Sequence, residues 1–420
     1  LKFIIVLRYI YIMNKAGDMA NSTMEGANKV VNEAKDQFMR MLKNKNKWGV
    51  LFLVLVIIFL LWVLSLYVRG KLRLKESNNQ RMVDDYKQLG GTQIGSISNS
   101  NSNHKFLLRD YYVASSYNSC CGGNVESDFV DLVPLRTVIG QGARLLDFEI
   151  YSREGEPVVA AGPGPNTNGK YCLKGTYNQI SFKKAMSYVK MLAYNGRQCP
   201  NPDDPLFLSF RIKTNNRNIY PIMAKVIKQT FGGKFLGPAY SHNGKYNKSG
   251  NQIIANIPIL SLKQKVIIMI QDPTNNYRQT EFEEFVNISG KGNDGEGLPF
   301  ATFYKNIDIV QTYDSKSLIE ENKKFLGITM PDFSKITTNS PAPIHHSYGC
   351  QMVMMNYSLL DQNMMYYLKF FNKKGAAFRL KPDHLRYFEK KIAPPKKQDP
   401  KLSYGPKAAA MLGGAYNPSL

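Results

Sequence analysis

Asp147 and Glu149 stand two residues apart in Arg144 to Tyr151, RLLDFEIY. The stretch alternates as a strand does, with Leu146, Phe148 and Ile150 on one face and Leu145, Asp147 and Glu149 on the other. The two carboxylates therefore point the same way. Such a pair can ligate a hard cation or do acid/base work. It equally suits a strand face whose acids pair with the chain's lysines and arginines. For proton transfer near neutral pH the chain has His104, His242, His345, His346 and His384. His345 and His346 come just before the segment at Gly349 and are placed to approach a site at strand ends. Cys120, Cys121, Cys172, Cys199 and Cys350 are too irregularly spaced for a disulfide framework or a zinc site. The Gly-rich turn from Gly162 to Gly169 lacks the Lys-Ser/Thr end of a nucleotide-binding loop.

The region from Arg109 to Gly164 resembles the X region of eukaryotic-type phosphoinositide-specific phospholipase C. In that family a Ser-Ser-His-Asn-Thr motif precedes Gly-x-Arg, an acidic-x-acidic pair and a Glu-Pro-x-x-x-His-Gly turn. Ser115, Ser116, Asn118, Gly142, Arg144, Asp147, Glu149, Glu156, Pro157 and Gly162 follow the pattern. The two histidine positions fall on Tyr117 and Ala161. A second block resembles the family's Y region: Gly349-Cys350-Gln351-Met352-Val353, then Asn356, then Leu380-Lys381-Pro382 with Leu385-Arg386. The resemblance covers about Phe106 to Tyr387. It implies an α/β fold, a distorted TIM (β/α)8 barrel, which the alternation of strand-like and helix-like segments also favours.

The resemblance also implies what the site would need. In the family, calcium activates the inositol 2-hydroxyl and neutralises the phosphate, while two histidines handle protons and charge. A tyrosine, with an ordinary pKa near 10, shuttles protons poorly at neutral pH, and an alanine does not do so at all. Asn118, Asp147 and Glu149 keep oxygen ligands for a metal, with the two acids in reversed order. The family's Ser-Leu-Glu strand, however, aligns with Ser209-Phe210-Arg211, which puts a guanidinium at a ligand position. Arg211 is expected to pair with Asp147 or Glu149. The phosphate-binding lysines fall near Met269 and Gln271, and no arginine lies between Glu321 and Ile344. The expectation is a barrel without hydrolytic activity and without a cofactor. Calcium enters only on the alternative reading, a divergent phosphodiesterase with Tyr117, His345 or His346 as compensating groups.

The elements that position these residues divide the chain of 420 residues, 43% of them apolar. Residues 1–47 are a basic segment in which Ser22 to Leu42 has the spacing of an amphipathic helix. The first residue, Leu1, is not a methionine, and Met13 or Met19 is the candidate true initiator. Residues 48–68, WGVLFLVLVIIFLLWVLSLYV, form an uncharged run long enough to cross a bilayer once. Residues 69–104 read as a flexible tether. The barrel occupies 105–389, with an X part at about 105–271, a linker at about 272–300 and a Y part at about 301–389. Residues 390–420 read as a disordered basic tail.

The formal net charge of +23 sits mainly at the ends. Lys/Arg outnumber Asp/Glu 15 to 7 in residues 1–90 and 12 to 3 in residues 367–420, against 28 to 22 between them. Basic ends on a membrane-anchored chain suit anionic lipid headgroups, at about 1 kcal/mol for each Lys or Arg near such a surface. The N-terminal helix and the C-terminal tail are further candidates for protein partners, as in a viral or organellar envelope assembly. No zinc spacing, nucleic-acid motif or aromatic-basic platform supports a nucleic-acid partner. Lysines and arginines flank the apolar run on both sides, so charge does not select an orientation.

Overall fold

The computed structural model describes residues 32–33, 35–36, 39–40, 47–162, 174–241, 254–290, 301–334, 337–389 and 402. Most of the N-terminal amphipathic segment, the body of the Gly162 to Gly169 turn, His242, Cys172, residues 291–300 of the linker and nearly all of the tail lie outside them.

After one long helix, α1 (Lys47–Gln88), the chain alternates strand and helix. The first half contains β1 (Tyr111–Val113), β2 (Ser115–Ser116), α2 (Leu132–Gly140), β3 (Leu145–Arg153), β4 (Glu156–Ala160), β5 (Ile180–Ser181), α3 (Phe182–Ala193), β6 (Leu206–Ile212), α4 (Ile219–Phe231), β7 (Val266–Gln271) and β8 (Val286–Ser289). The second contains β9 (Ala301–Lys305), α5 (Asn306–Val310), α6 (Ser315–Lys324), β10 (Leu326–Met330), α7 (Ala342–Ser347), β11 (Met352–Met355), α8 (Gln362–Asn372) and β12 (Phe378–Leu380). Helix starts are set locally. Asp131, Ser181 and Asp361 each accept a backbone N–H at the N-cap of α2, α3 and α8.

Eight strands pair in parallel in the order β8-β7-β6-β3-β2-β11-β10-β9. Read as a ring, this is sequence order, closed by β11 on β2, with one seam between β8 and β9. It is a nearly closed (β/α)8 barrel, as the sequence implied. The apolar runs of β6 and β7 are buried throughout, as both-face-covered parallel strands require. β4 folds back antiparallel on β3, while β1 and β12 form a separate pair.

Two stretches are more ordered than their composition suggests. Within the stretch read as a linker, Tyr277, Phe282 and Phe285 are buried and β8 pairs with β7, and among the described residues the strand pairing breaks between β8 and β9. Nor is 69–104 a tether. α1 continues without interruption from the apolar run to Gln88, with Met82 and Tyr86 buried on the barrel wall. Ile94 and Ile97 are buried beyond it. The polar composition misled because these few apolar residues recur on one side and the polar ones pair with the barrel: Asn78 and Asn79 donate to Asp128 and Asp131, each at 2.8 Å.

The first half of α1 is different. Its most apolar 18-residue window has mean hydropathy 3.1 and no part of that window is buried in the protein, which makes it a candidate membrane span.

Candidate functional site

Register builds the site. Asp147 lies opposite Ser209 and Glu149 opposite Arg211, while Ser209 and Arg211 lie opposite Met269 and Gln271. These six positions share the inner face of the barrel, toward the C-terminal ends of the strands, where barrels of this type carry their sites. The loop after β2 brings in Tyr117 and Asn118. Ser119 fastens that loop to β3, its N–H donating to Asp147 O and its Oγ accepting the Asp147 N–H, each at 2.9 Å. Asn118 has φ +43°, a left-handed conformation that asparagine tolerates better than most residues.

Arg211 occupies the middle of this group. Its Nη2 donates to Asn118 Oδ1 and Asp147 Oδ2, both at 2.7 Å; its Nη1 donates to Glu149 Oε1 at 2.8 Å and to the Tyr117 hydroxyl at 3.2 Å; its Nε donates to Asp147 Oδ1 at 3.0 Å. The guanidinium carbon also lies 4.4 Å from the centre of the Tyr117 ring. The fork shape matters: its planar donors reach four residues in fixed directions, which a lysine's three donors on one atom could not. The remaining carboxylate valences are filled as well. Ser209 Oγ and the Asn118 N–H donate to Asp147, each at 3.0 Å, and Tyr151 donates to Glu149 Oε2 at 2.8 Å.

The cluster is sealed. Asp147 and Glu149 are fully buried and the Arg211 side chain is 4% exposed. Burial would by itself lower the Arg211 guanidinium, but Asp147, Tyr117 and Glu149 outweigh it and hold it well above the ordinary arginine value. Burial, with a smaller push from Glu149 and Asp147, raises the Tyr117 phenol far above its ordinary value despite Arg211.

The other residues singled out from sequence fall as follows. Ala161 lies one residue past Ala160, the register partner of Glu149, and is buried. Met269 is buried, and the Gln271 amide donates across the barrel to Met330 Sδ at 3.4 Å. His345 and His346 do not join the cluster. They sit in α7, with His345 Nε2 paired to Asn306 Oδ1 at 3.0 Å and His346 stacked 4.4 Å from Phe370. A helix, not a mouth loop, precedes Gly349, and it packs against α5 and α8. Burial lowers His345 to about 4 and His346 to about 3, so both rings are neutral near pH 7. Asn287 and Asn356, each of which opens an Asn-x-Ser triplet, are buried with their side-chain amides donating to Tyr240 O and Thr337 O.

Four residues had no role assigned from sequence. Ser209 and Tyr151 complete the carboxylate shells, and both share the alternation that singled out their neighbours, so they were findable. Lys213, just past β6, and Lys305, at the end of β9, each place an ammonium 5.4 Å from the Phe333 ring centre. Nothing in sequence signals that meeting.

The barrel has a phosphoinositide-specific phospholipase C-like fold. Neither a protein-family model nor a curated protein sequence matches the chain. Among solved structures, L. pealei PLC21 is similar at 18% identity and TM-score 0.53 over 68% of this chain and 38% of that one. S. officinalis PLC21 is similar at 17% identity and TM-score 0.51 over 69% and 39%. A calcium-dependent phosphoinositol-specific phospholipase C from Pseudomonas sp. aligns at 11% identity and TM-score 0.44 over 67% and 97%. The chain thus spans under two fifths of the length of the two PLC21 structures.

Proposed function

We propose that this is a single-pass membrane protein whose phospholipase C-like barrel has no hydrolytic activity, and that it serves in membrane or phosphoinositide binding or as a scaffold in a membrane-associated assembly. One observation carries the reading: the guanidinium of Arg211 stands among Asn118, Asp147 and Glu149 and takes their oxygens. Calcium needs six to eight oxygen ligands at about 2.3–2.6 Å. Here those oxygens already bond to nitrogen donors at 2.7–3.1 Å, and a metal would have to displace a buried cation from between two carboxylates. The residues do not fit the ion. Among the described residues, no group of three or more His, Cys, Asp or Glu is arranged to hold a metal.

Proton chemistry is equally unsupported. Tyr117 is held protonated and hydrogen-bonded, Ala161 carries no titratable group, and His345 and His346 are engaged in the helix layer. The spanning role of α1 is supported by its exposed apolar half, and anionic headgroups and protein partners are supported by the basic ends of the chain.

The test is phosphatidylinositol cleavage by the full chain in vesicles, with calcium and with chelator, following diacylglycerol. The expected result is no release above background in either condition. Calcium-dependent release would establish the alternative, an active divergent phosphoric diester hydrolase.

A further inference from the structure

The direction of α1 along the barrel is set by contacts at both ends. Lys75 Nζ lies 2.9 Å from Asp131 Oδ2, and Asn79 and Asn78 donate to Asp131 and Asp128. Both acids belong to the loop that leaves the C-terminal end of β2, and Asp131 caps the start of α2. Beyond the other end of α1, Thr92 Oγ1 donates to Asn372 Oδ1 at 2.8 Å at the close of α8, and the Ile97 N–H donates to Asp204 Oδ1 at 2.7 Å just before β6 begins. α1 therefore runs beside α2 and α8 from the C-terminal toward the N-terminal ends of the strands. Its apolar first half projects beyond the barrel mouth, not away from it.

The spacing is short. Lys75 lies seven positions after Val68, about 10 Å of helix. One headgroup layer is about 5–8 Å thick. The loop between β4 and β5 already meets the helix at this level: Lys71 Nζ lies 5.6 Å from the Tyr67 ring centre and 5.3 Å from that of Tyr177. Around the mouth, Lys213 just past β6, Lys305 at the end of β9 and Phe333 past β10 form a basic patch around a ring that is 38% exposed. Arg217, four residues past Lys213, is exposed in the loop between β6 and α4.

We infer that the helix-fixed barrel lays its mouth rim on the headgroups of the membrane that α1 crosses, with Lys213, Lys305 and Phe333 contacting anionic lipid. The inference rests on the spanning reading of α1 and is independent of hydrolysis. It converts the rim from a substrate entrance into a lipid-facing surface whose contact is set by a rigid helix.

The full chain, carrying Phe333→p-benzoylphenylalanine or Arg197→p-benzoylphenylalanine, is reconstituted in phosphatidylcholine vesicles with and without phosphatidylserine and photolysed. Arg197, exposed in the turn after α3, is at the opposite end of the barrel. Lipid adducts are expected at position 333 and not at 197, with phosphatidylserine favoured. Adding Lys213→Ala or Lys305→Ala should reduce that preference about fivefold each, the equivalent of about 1 kcal/mol per lysine at an anionic surface. Adducts at 197, or none at 333 in a chain that resists alkaline carbonate extraction, would overturn the orientation while leaving the anchor intact. Extraction by carbonate would overturn the anchor and the orientation with it.

Discussion

Arg211 decides what the inner face can do. Removing one member of a buried ion pair costs about 3–5 kcal/mol, because the partner charge is left uncompensated. Arg211→Met should therefore lower stability by that order in denaturant titration, with calcium making no difference to the wild type. Arg211→Glu is the sharper variant. It places a third carboxylate beside Asp147, Glu149 and Asn118, so the apo protein should be destabilised and calcium should raise its Tm; at 100 times Kd the stabilisation is about 2.7 kcal/mol. A wild-type Tm that rises with calcium would contradict the reading of Arg211. The alternation around Asp147 and the Ser209-Phe210-Arg211 strand made the ingredients legible in sequence. The geometry was not, because a guanidinium that reaches Asn118, Asp147 and Glu149 together depends on β3, β6 and the β2 loop meeting at one height.

At the scale of elements, apolar runs and periodicity in the sequence mark strands at Arg144 to Tyr151, Pro205 to Lys213 and Lys265 to Ile270 and a helix at Ile219 to Phe231, and β3, β6, β7 and α4 fold close to those residues. α7 could not be read this way. His345 and His346 looked like loop residues because only six residues form the helix, and its burial comes from α5, α8 and Tyr112, which are distant in sequence. This burial has a consequence for pH. His345 and His346 have folded values of about 4 and about 3, below the unfolded 6.5, so the unfolded chain binds more protons and stability falls as pH drops below 6.5. Burial raises Asp204 to about 6, which opposes one of these protons between about 6 and 4. For these three groups together the loss is about 1.4 kcal/mol per pH unit in that window. His346→Phe keeps the stack on Phe370 and removes one titrating ring, so its stability should be nearly flat between pH 6 and 4. A variant with the same acid slope as wild type would place the acid sensitivity elsewhere.

The whole molecule is a barrel joined to a candidate span by one continuous helix, and that continuity is testable without reference to lipid. Residues 69–87 contain Arg69, Lys71, Arg73, Lys75, Arg81 and Lys87, which would make a flexible tether an immediate trypsin substrate. Docked helix is cut only when it opens, at a rate set by local stability. Met82 is 1% exposed and Tyr86 donates to Tyr357 O at 2.9 Å with the two rings stacked, so Arg81 and Lys87 are held on either side of a buried contact. In the native full chain these two bonds should survive until the barrel itself unfolds. Met82→Ala removes about 2–5 kcal/mol of packing at that contact. It should expose both bonds to cleavage while circular dichroism still reports a folded barrel, since the eight strands pair without α1. Early cleavage of the wild type at Arg81 or Lys87 would instead mean that the helix leaves the wall, and the mouth would then have no fixed direction relative to the span.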